Sequence, residues 1–487
     1  MIEKLKQLTK ETIIYGISTI LGRFLNFILV PLYTNIFLPE EYGIVTNVYA
    51  IIGILNVLFL YGLDSAYLKF ATSEEFPSKK LVFSIPTITI ILTSVVLSVG
   101  ILSLQKPLMN FLSLTAGYNY IITYSLLILL FDTFAAIPFL NLRLENKAVR
   151  FTAIKVGNIV INVVLNIVLI VGLKWGIEGV FISNLVASLF SLSFVLPVYK
   201  ELFSLCFDKG LFKRFLKFGI PYLPAGLASI FIQVIDRPIV EQLTDLKQLG
   251  IYQANYKLGI FMMLFVSMFQ FAWQPFFLKN AREPNAKELY SKVFTYFTLV
   301  GSFILVVLTL FVDDIVKMSI FGRHLIGYAY WGGLSIVPIV LLAYLFNGFH
   351  IIFSAGLYIK EKSNSVPVIM GICAAVNITV NFALIPVLGI YGAGLATLAS
   401  YVVMAIAYYG VSQRLFYVKY EFVKISMIFL ALFIVAFLYF YLIPVDYLNL
   451  LIKLLLGLLF IALLVLMRVI DSKDVNGLKL LFTSNRK

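Results

Sequence analysis

The sequence contains few cysteines, histidines and charged residues, and each scarcity excludes a class of protein. Its two cysteines, Cys206 in a basic loop and Cys373 in an apolar stretch, do not predict a disulfide framework. With only two histidines, a cluster of metal ligands is not expected either. Charged residues make up 13% of the chain, against about a quarter in soluble globular proteins. Most of this chain is therefore expected to lie in lipid.

Long apolar stretches take the place of the missing charges. Hydrophobic residues make up 61% of the sequence, and a helix needs about 20 such residues to cross a bilayer. Fourteen stretches reach this length, which predicts an all-α, polytopic membrane protein. The predicted spans are roughly residues 11–36, 42–68, 81–103, 119–142, 151–172, 177–198, 215–238, 249–277, 289–312, 327–357, 364–387, 389–411, 422–443 and 446–469.

The basic residues alternate between the loops that join these spans. Of the 38 Lys and Arg residues, 28 lie in the termini and every second loop, and 6 lie in the seven loops between them. Because cytoplasmic loops carry the excess of positive charge, both termini are predicted to be cytoplasmic. The net charge of +14 is then suited to an anionic inner leaflet, and nucleic acid is not an expected partner.

The predicted loops leave no room for a soluble domain. None exceeds about 20 residues, and a small domain needs roughly 50. A phosphate-binding GxxxxGK[ST] motif is absent, and no nucleophile with a neighbouring base stands out. We therefore expect neither an enzyme nor a bound cofactor. The first ten residues lead into span 1 without a cleavage site, so we expect this segment to be retained.

Two parts of the sequence repeat. Asn162 and Asn166 in span 5 match Asn377 and Asn381 in span 11, and a glycine-containing outer turn follows each pair. In both copies the two asparagines lie one helical turn apart. Because the repeat covers six spans, an even number, both copies keep the same orientation.

A weaker match links residues 38–53 to residues 246–259. Together the two matches predict two pseudo-symmetric six-helix lobes. The predicted boundaries are residues 1–205 for the N-lobe with spans 1 to 6, 206–412 for the C-lobe with spans 7 to 12, and 413–487 for spans 13 and 14 with a cytoplasmic tail.

Ionisable residues inside membrane spans are costly, and each is a candidate for function. Arg23 lies near the midplane of span 1, where its planar guanidinium suits a phosphate or an ion pair with Asp132 in span 4. Lys257 in span 8 suits an anion, or reaches to the outer surface by snorkelling. His350 in span 10 suits proton transfer, although a lone histidine is more often a structural hydrogen-bonding residue.

Asp236 and Arg237 are neighbours near the end of span 7. Adjacent helical residues point about 100° apart, so they are expected to face different partners. If Asp236 faces Asn377, Asn381 and Thr397, the four side chains form an oxygen-rich pocket suited to Na⁺ or a proton. The alternative is a hydrogen-bonded cluster that only packs the lobe.

Four segments resemble a known family. They are GRFLNFILVPLYTNIFLPEEYGIV at 22–45, FGIPYLPAGLASIFIQVIDRPIV at 218–240, LGIYQANYKLG at 249–259 and FQFAWQPFFLKNA at 269–281. These segments are similar to those of bacterial polysaccharide-export flippases, the Wzx-type O-antigen and teichuronic-acid transporters. That family belongs to the multidrug/oligosaccharidyl-lipid/polysaccharide (MOP) exporter superfamily, and the similarity extends over essentially the whole chain.

The resemblance implies a V-shaped pair of lobes around a cationic cavity in the bacterial cytoplasmic membrane. The implied activity is flipping of an undecaprenyl-diphosphate-linked oligosaccharide by alternating access, driven by a Na⁺ or H⁺ gradient. A polysaccharide polymerase or export machinery and membrane lipid are the implied partners. In this interpretation Arg23, Lys257 and Arg237 would supply the positive charge for the diphosphate head group.

Related lipid II flippases carry a cation site between spans 7, 11 and 12. The resemblance maps this site onto Asp236, Asn377, Asn381 and Thr397, and Asp132 in span 4 is a further candidate for ion coupling. Asn381 stands where a carboxylate is expected in those relatives, which lowers the expected affinity for Na⁺.

Three other functions remain open at this point. A multidrug exporter of the related MATE type takes cationic substrates, which a cavity with Arg and Lys disfavours. A lipid II flippase is a second alternative. A membrane polysaccharide polymerase usually needs a larger outer loop than this chain has.

The anion role of Arg23 is directly testable. Replacing Arg23 with Ala is expected to abolish oligosaccharide export, because the cation near the midplane is lost, while the protein stays at its normal level in the membrane. Complementation of a flippase-null strain measures export, and full complementation by the variant would rule out the role.

Overall fold

Helices make up nearly all of the chain that the structure describes. The computed structural model describes residues 27–73, 78–320, 322–360, 362, 365–444 and 449–469. Within these ranges, twelve helices are long and apolar enough to cross a membrane, and two shorter apolar helices stand at the two ends. The prediction of an all-α polytopic membrane fold is confirmed. The count of fourteen spans and the cytoplasmic termini stay predictions.

The apolar helices are numbered α1 to α14 in chain order. They are Phe27–Ile36, Pro39–Leu60, Lys79–Ser103, Asn119–Leu144, Ala148–Gly172, Gly176–Leu202, Lys209–Val234, Leu246–Asn280, Ala286–Lys317, Tyr328–Ile359, Ser365–Leu388, Ile390–Leu415, Phe422–Leu442 and Leu450–Leu466. Shorter helices follow three of them, at Leu63–Ala71, Gln105–Phe111 and Asp236–Leu243. A hairpin of two antiparallel strands, β1 (Ser319–Ile320) and β2 (Arg323–His324), joins α9 to α10.

The prediction of span 2 as one helix over 42–68 is wrong. The helix α2 ends at Leu60, and Tyr61 and Gly62 both adopt the left-handed conformation, with φ of 32° and 80°. At this break the chain contacts the backbone of α7 at Gly219. A Cβ atom on Gly62 would lie 2.1 Å from the carbonyl oxygen of Gly219. Close approach of two backbones therefore interrupts a stretch that is apolar enough to continue.

A second interruption shapes α8. A 3-10 turn at Lys257–Gly259 separates two helical parts, Leu246–Tyr256 and Ile260–Asn280. At the turn, a Cβ atom on Gly259 would lie 2.6 Å from the side chain of Val340 on α10. The local unwinding brings α8 against α10 and places Lys257 at the break.

The two asparagine pairs of the repeat have the same geometry. In α5, Asn166 Nδ2 donates to the carbonyl oxygen and to Oδ1 of Asn162, at 2.8 and 3.1 Å. In α11, Asn381 Nδ2 donates to the same two atoms of Asn377, both at 2.9 Å. The repeat in the sequence thus corresponds to a repeated hydrogen-bond pattern in three dimensions.

The copies differ in how the remaining oxygen of the second asparagine is used. Asn166 Oδ1 accepts a hydrogen bond of 2.7 Å from the hydroxyl of Tyr33. Asn381 Oδ1 is buried and has no partner among the described residues. Residue 205, the predicted end of the N-lobe, lies in the loop after α6, whereas α12 continues past residue 412. The lobe boundaries stay predictions.

The helices α2 and α8, which contain the second repeated segment, cross each other through two glycines. A Cβ atom on Gly43 would lie 2.0 Å from the carbonyl oxygen of Leu246, and one on Gly250 would lie 1.9 Å from that of Pro39. The first turn of each helix therefore packs directly against the glycine of the other helix. The reciprocal contact joins the N-lobe and the C-lobe at the predicted outer side.

Further contacts close the same side. Asn35, at the end of α1, donates from Nδ2 to the carbonyl oxygen of His324 at 2.8 Å. The hydroxyl of Tyr330 on α10 donates to the carbonyl oxygen of Phe37 at 2.9 Å. Both bonds join the N-lobe to the C-lobe, so the described structure is closed at its predicted outer side.

The C-terminal helices α13 and α14 pack on α9 of the C-lobe. Lys453 on α14 is only 5% exposed, and its Nζ lies 2.5 Å from Oδ2 of Asp314 near the end of α9. Because an unpaired charge in an apolar helix is costly, this ion pair fixes the position of the helix pair against the lobe.

The glycine crossing predicts opposite effects of alanine at two helical positions. Gly43→Ala is expected to lower the free energy of unfolding by about 1–3 kcal/mol, because the new methyl group overlaps a backbone oxygen. Gly410→Ala is the matched control, because no atom lies within 4 Å of its Cβ position, and it is expected to preserve or raise stability. Thermal unfolding of the detergent-purified variants measures both effects, and equal stability of the two variants would contradict the crossing.

Candidate functional site

A cavity of about 580 Å³ lies in the predicted C-lobe, bounded by α7, α8, α10, α11 and α12. Phe27 of α1 reaches it from the predicted N-lobe. Its volume is in the range of sites for small molecules. The cavity therefore lies beside the predicted boundary between the lobes, with residues of both in its wall.

Two cationic side chains line this cavity, Arg237 and Lys257. Both are half-buried, and Nε of Arg237 has no hydrogen-bond partner among the described residues. The Nζ of Lys257 lies 5.3 Å from the ring centre of Tyr42 on α2, within the range of a cation–π contact. No Asp or Glu stands among the described residues that line the cavity. The cavity is therefore electropositive and suited to an anion.

Amide and aromatic side chains complete its wall. Gln253 is 1% exposed, and neither its amide nitrogen nor its oxygen has a partner among the described residues. An unpaired buried amide costs about 1–3 kcal/mol, so water or a ligand in the cavity would satisfy it. His350 lines the same cavity with a buried, unpartnered Nδ1. The remaining polar and aromatic lining includes Gln233, Gln270, Asn347, Tyr256, Tyr344 and Tyr401.

Asp236 points away from the cavity, although Arg237 lines it. The carboxylate is 4% exposed, and its Oδ2 accepts a hydrogen bond of 2.6 Å from the hydroxyl of Tyr252. The same hydroxyl is in hydrogen-bonding contact with the side chain of Thr397. Oδ1 of Asp236 has no side-chain partner among the described residues, and the backbone amides of Asp236 and Arg237 lie beside the carboxylate. The two neighbouring side chains thus have different hydrogen-bond partners, although the charge of Arg237 acts on the Asp236 carboxylate.

The two asparagines of α11 form the other half of this polar cluster. The short helix that contains Asp236 packs against α11 and α12. Asn377 Nδ2 and Asn381 Oδ1 are buried without a partner in the described chain. Among the hydrogen bonds of the described residues, Asp236 is joined to Tyr252 and not to either asparagine. The cluster therefore consists of two hydrogen-bonded groups on contacting helices.

Four of these side chains lie at a similar distance from the predicted outer ends of their helices. Each of Asp236, Tyr252, Asn381 and Thr397 is six or seven positions from the predicted outer end of its helix. At 1.5 Å per residue this is about 10 Å. Sequence reasoning missed Tyr252 because it considered charged and amide residues first. The equal distance from a helix end is the signal that identifies it.

The other predicted residues lie elsewhere. Asp132 on α4 is in the N-lobe, where it contacts Ser188 and lies near the ammonium group of Lys155. The Nζ of Lys155 lies 4.1 Å from the ring centre of Phe139. Arg23 lies outside the described residues. Whether it binds an anion or pairs with Asp132 therefore stays a prediction.

Comparison with known proteins identifies the family. The family described as polysaccharide biosynthesis protein matches residues 8–281, more than half of the chain. The chain therefore belongs to the polysaccharide biosynthesis protein family. No curated protein matches it in sequence.

Solved transporters share the fold. A lipid II flippase, MurJ, in an inward closed conformation aligns with a TM-score of 0.73 at 16% identity, over 95% of this chain and 99% of its own. An inward-facing multidrug resistance MATE transporter of the MOP superfamily aligns with a TM-score of 0.63 at 14% identity, over 80% and 94%. A Vibrio cholerae MATE transporter, VcmN, aligns at 0.54 and 11% identity, over 85% and 96%. At these identities the likeness shows the fold, so the chain shares the fold of these transporters.

Proposed function

We propose that this protein is a flippase that moves an undecaprenyl-diphosphate-linked oligosaccharide from the inner to the outer leaflet of the bacterial cytoplasmic membrane. Membership of a polysaccharide biosynthesis family supports the glycan, and the MOP fold supports transport. The observation that carries the proposal is the cavity with Arg237 and Lys257 and no described acidic residue in its lining. The products would serve surface polysaccharide assembly by a polymerase or export machinery.

The cavity has the chemistry that a diphosphate head group requires. A guanidinium forms two parallel hydrogen bonds to phosphate oxygens, and an ammonium adds a point charge. Both attractions are stronger in a partly dry cavity than in water. The amides of Gln233, Gln253 and Gln270 supply donors and acceptors for sugar hydroxyls. The prenyl tail needs no polar site and can stay in lipid beside the lobes.

The same charges disfavour export of cationic drugs. A cation in the cavity would meet Arg237 and Lys257, and the lining offers no described carboxylate in return. Like charges at short distance in a medium of low dielectric repel by several kcal/mol. An anionic substrate therefore fits better than the substrates of a multidrug exporter, although the two classes share a fold.

Transport by alternating access requires the outer contacts to separate. The crossing at Gly43 and Gly250 joins the lobes through backbone and the first turns of two helices. Lys257 lies two turns further along α8, at the 3-10 turn. Movement of α8 relative to α2 would therefore shift Lys257 in the cavity and, at the same time, open the predicted outer side.

The cavity cations can be tested by substitution. Arg237→Ala and Lys257→Ala are each expected to lower the initial rate of flipping more than tenfold, since each removes a contact to the diphosphate, and Arg237→Lys should retain part of the activity. The assay uses proteoliposomes with a fluorescent undecaprenyl-diphosphate-linked sugar and a membrane-impermeant quencher.

Lys174→Ala serves as the control, because Lys174 lies in the predicted outer loop between α5 and α6, away from the cavity. The control should flip at the wild-type rate. Wild-type rates in both alanine variants, in well-folded protein, would refute the anionic head group as the substrate of this cavity.

We further propose that a proton or Na⁺ binds at Asp236 and couples its gradient to transport. Oδ1 of Asp236 is buried without a side-chain partner, and Asn377 Nδ2 and Asn381 Oδ1 on the contacting helix are buried without a partner among the described residues. A buried carboxylate is stabilised when a cation or proton neutralises it. Tyr252 and Thr397 add hydroxyl oxygens on the same side. Asp132 in the N-lobe is the competing site.

Asp236→Asn is therefore expected to remove the acceleration of flipping by an imposed pH or Na⁺ gradient, while slow flipping without a gradient continues. The asparagine keeps the size of the side chain and an acceptor for Tyr252, but it cannot change its charge. Asp132→Asn is the matched comparison and should keep the acceleration. The reverse result, with the acceleration lost only in Asp132→Asn, would move the coupling site to the N-lobe.

A further inference from the structure

A separate cavity of about 270 Å³ lies at the predicted outer side, between α9, α10 and α13. It is distinct from the central cavity, and no lining residue is shared between the two. The polar and aromatic side chains that line it are Thr309, Asp313, Lys317, Trp331, Ser335, Tyr439 and Phe440.

Two consecutive aspartates give this cavity its carboxylate. Asp314 binds the buried Lys453 of α14 at 2.5 Å, whereas Asp313 lines the cavity. Neighbouring residues of a helix point about 100° apart, so Asp314 meets Lys453 of α14 while Asp313 faces the cavity. Tyr439 of α13 closes the cavity from the other side. The site therefore exists only because α13 and α14 pack on the C-lobe.

An aromatic ring, a carboxylate and an ammonium group meet around this space. Nε1 of Trp331 donates to the carbonyl oxygen of Ile326 at 2.9 Å, which fixes the indole ring. The Nζ of Lys317 lies 5.4 Å from the Trp331 ring and 3.9 Å from Oδ2 of Asp313. Thr309 is 8% exposed, and its hydroxyl has no partner among the described residues. A buried, unsatisfied hydroxyl in a cavity wall indicates a missing polar partner.

We propose that this outer cavity binds a saccharide unit of the exported glycan. The proposal rests on the function proposed above. Opposite charges in the lining favour a neutral ligand with several hydroxyl groups over a simple anion or cation, because such a ligand uses both the acceptor Asp313 and the donor Lys317. Lys317, His324 and Tyr328 pack around the indole of Trp331. A sugar ring would contact the part of the indole that lines the cavity, and Thr309 and Tyr439 supply hydroxyls. Few well-placed polar groups beside an aromatic wall are typical of a specific small-molecule site.

A saccharide site at this place would act after the head group has crossed the membrane. It lies on the predicted outer side of the C-lobe, where the glycan emerges, and it contains no residue of the central cavity. The twelve helices of the two lobes do not form it by themselves, because Tyr439 belongs to α13. Helix α13 would thus contribute to glycan binding through Tyr439.

Tryptophan fluorescence offers a direct test, because the sequence contains only three tryptophans. The full chain with Trp175→Phe and Trp273→Phe keeps Trp331 as its only tryptophan. Titration with glucose, galactose, N-acetylglucosamine and glucuronic acid is expected to change Trp331 emission saturably for at least one sugar. Asp313→Asn in the same background should weaken this binding at least tenfold, and the control Lys174→Ala should leave it unchanged.

Three results would overturn the saccharide site. The first is that none of the four sugars gives a saturable change in emission, and the second is a change that Asp313→Asn does not affect. The third is an emission change that follows the phosphatidylglycerol content of phosphatidylcholine vesicles in the absence of sugar, since the ligand would then be a lipid head group. The assay requires no transport, so its failure beside normal cavity-dependent flipping would refute this site and leave the flippase function intact.

Discussion

The arrangement of the two lobes depends on the contact in which α2 and α8 cross at Gly43 and Gly250. Because neither glycine has a side chain, the two backbones approach closely. The carbonyl oxygens of Leu246 and Pro39 lie 2.0 and 1.9 Å from the positions where Cβ atoms would be. The part of α8 that lines the central cavity begins just after this contact. Lys257 lies two turns beyond Gly250, and its ammonium group packs over the ring of Tyr42, the neighbour of Gly43. One backbone contact therefore determines both the spacing of the lobes and the position of a cavity cation.

Charged neighbours with different environments recur in the C-lobe. Arg237 lines the central cavity while Asp236 enters the polar cluster with Tyr252, and Asp313 lines the outer cavity while Asp314 pairs with a lysine of α14. In each case one residue of the pair has a structural partner and the other lines a cavity. Charges one residue apart in a medium of low dielectric also affect each other strongly. A change of charge at Asp236 would therefore alter the electrostatic potential in the central cavity.

Periodicity and charge predict much of this structure, because lipid allows few alternatives to an apolar helix. The spans, the duplication marked by Asn166 and Asn381, and the different directions of Asp236 and Arg237 all follow from local rules. The break at Gly62 and the role of Tyr252 do not, because both depend on a segment distant in sequence. Gly62 is shaped by the backbone of Gly219, and Tyr252 matters only because α8 lies beside the end of α7. Cavities belong to the same category, since their walls come from several helices at once.

The duplicated asparagine pairs have the same internal geometry but different surroundings. In α5 the spare oxygen of Asn166 is satisfied internally by Tyr33, whereas in α11 the corresponding oxygen of Asn381 is buried without a described partner. In the first copy the amide oxygen is satisfied within the described chain, and in the second it is not. Because both copies keep the same orientation, the two asparagines offer different chemistry at equivalent points of the fold. A cation or water that enters at this point would find a free acceptor oxygen in the second copy and an occupied one in the first.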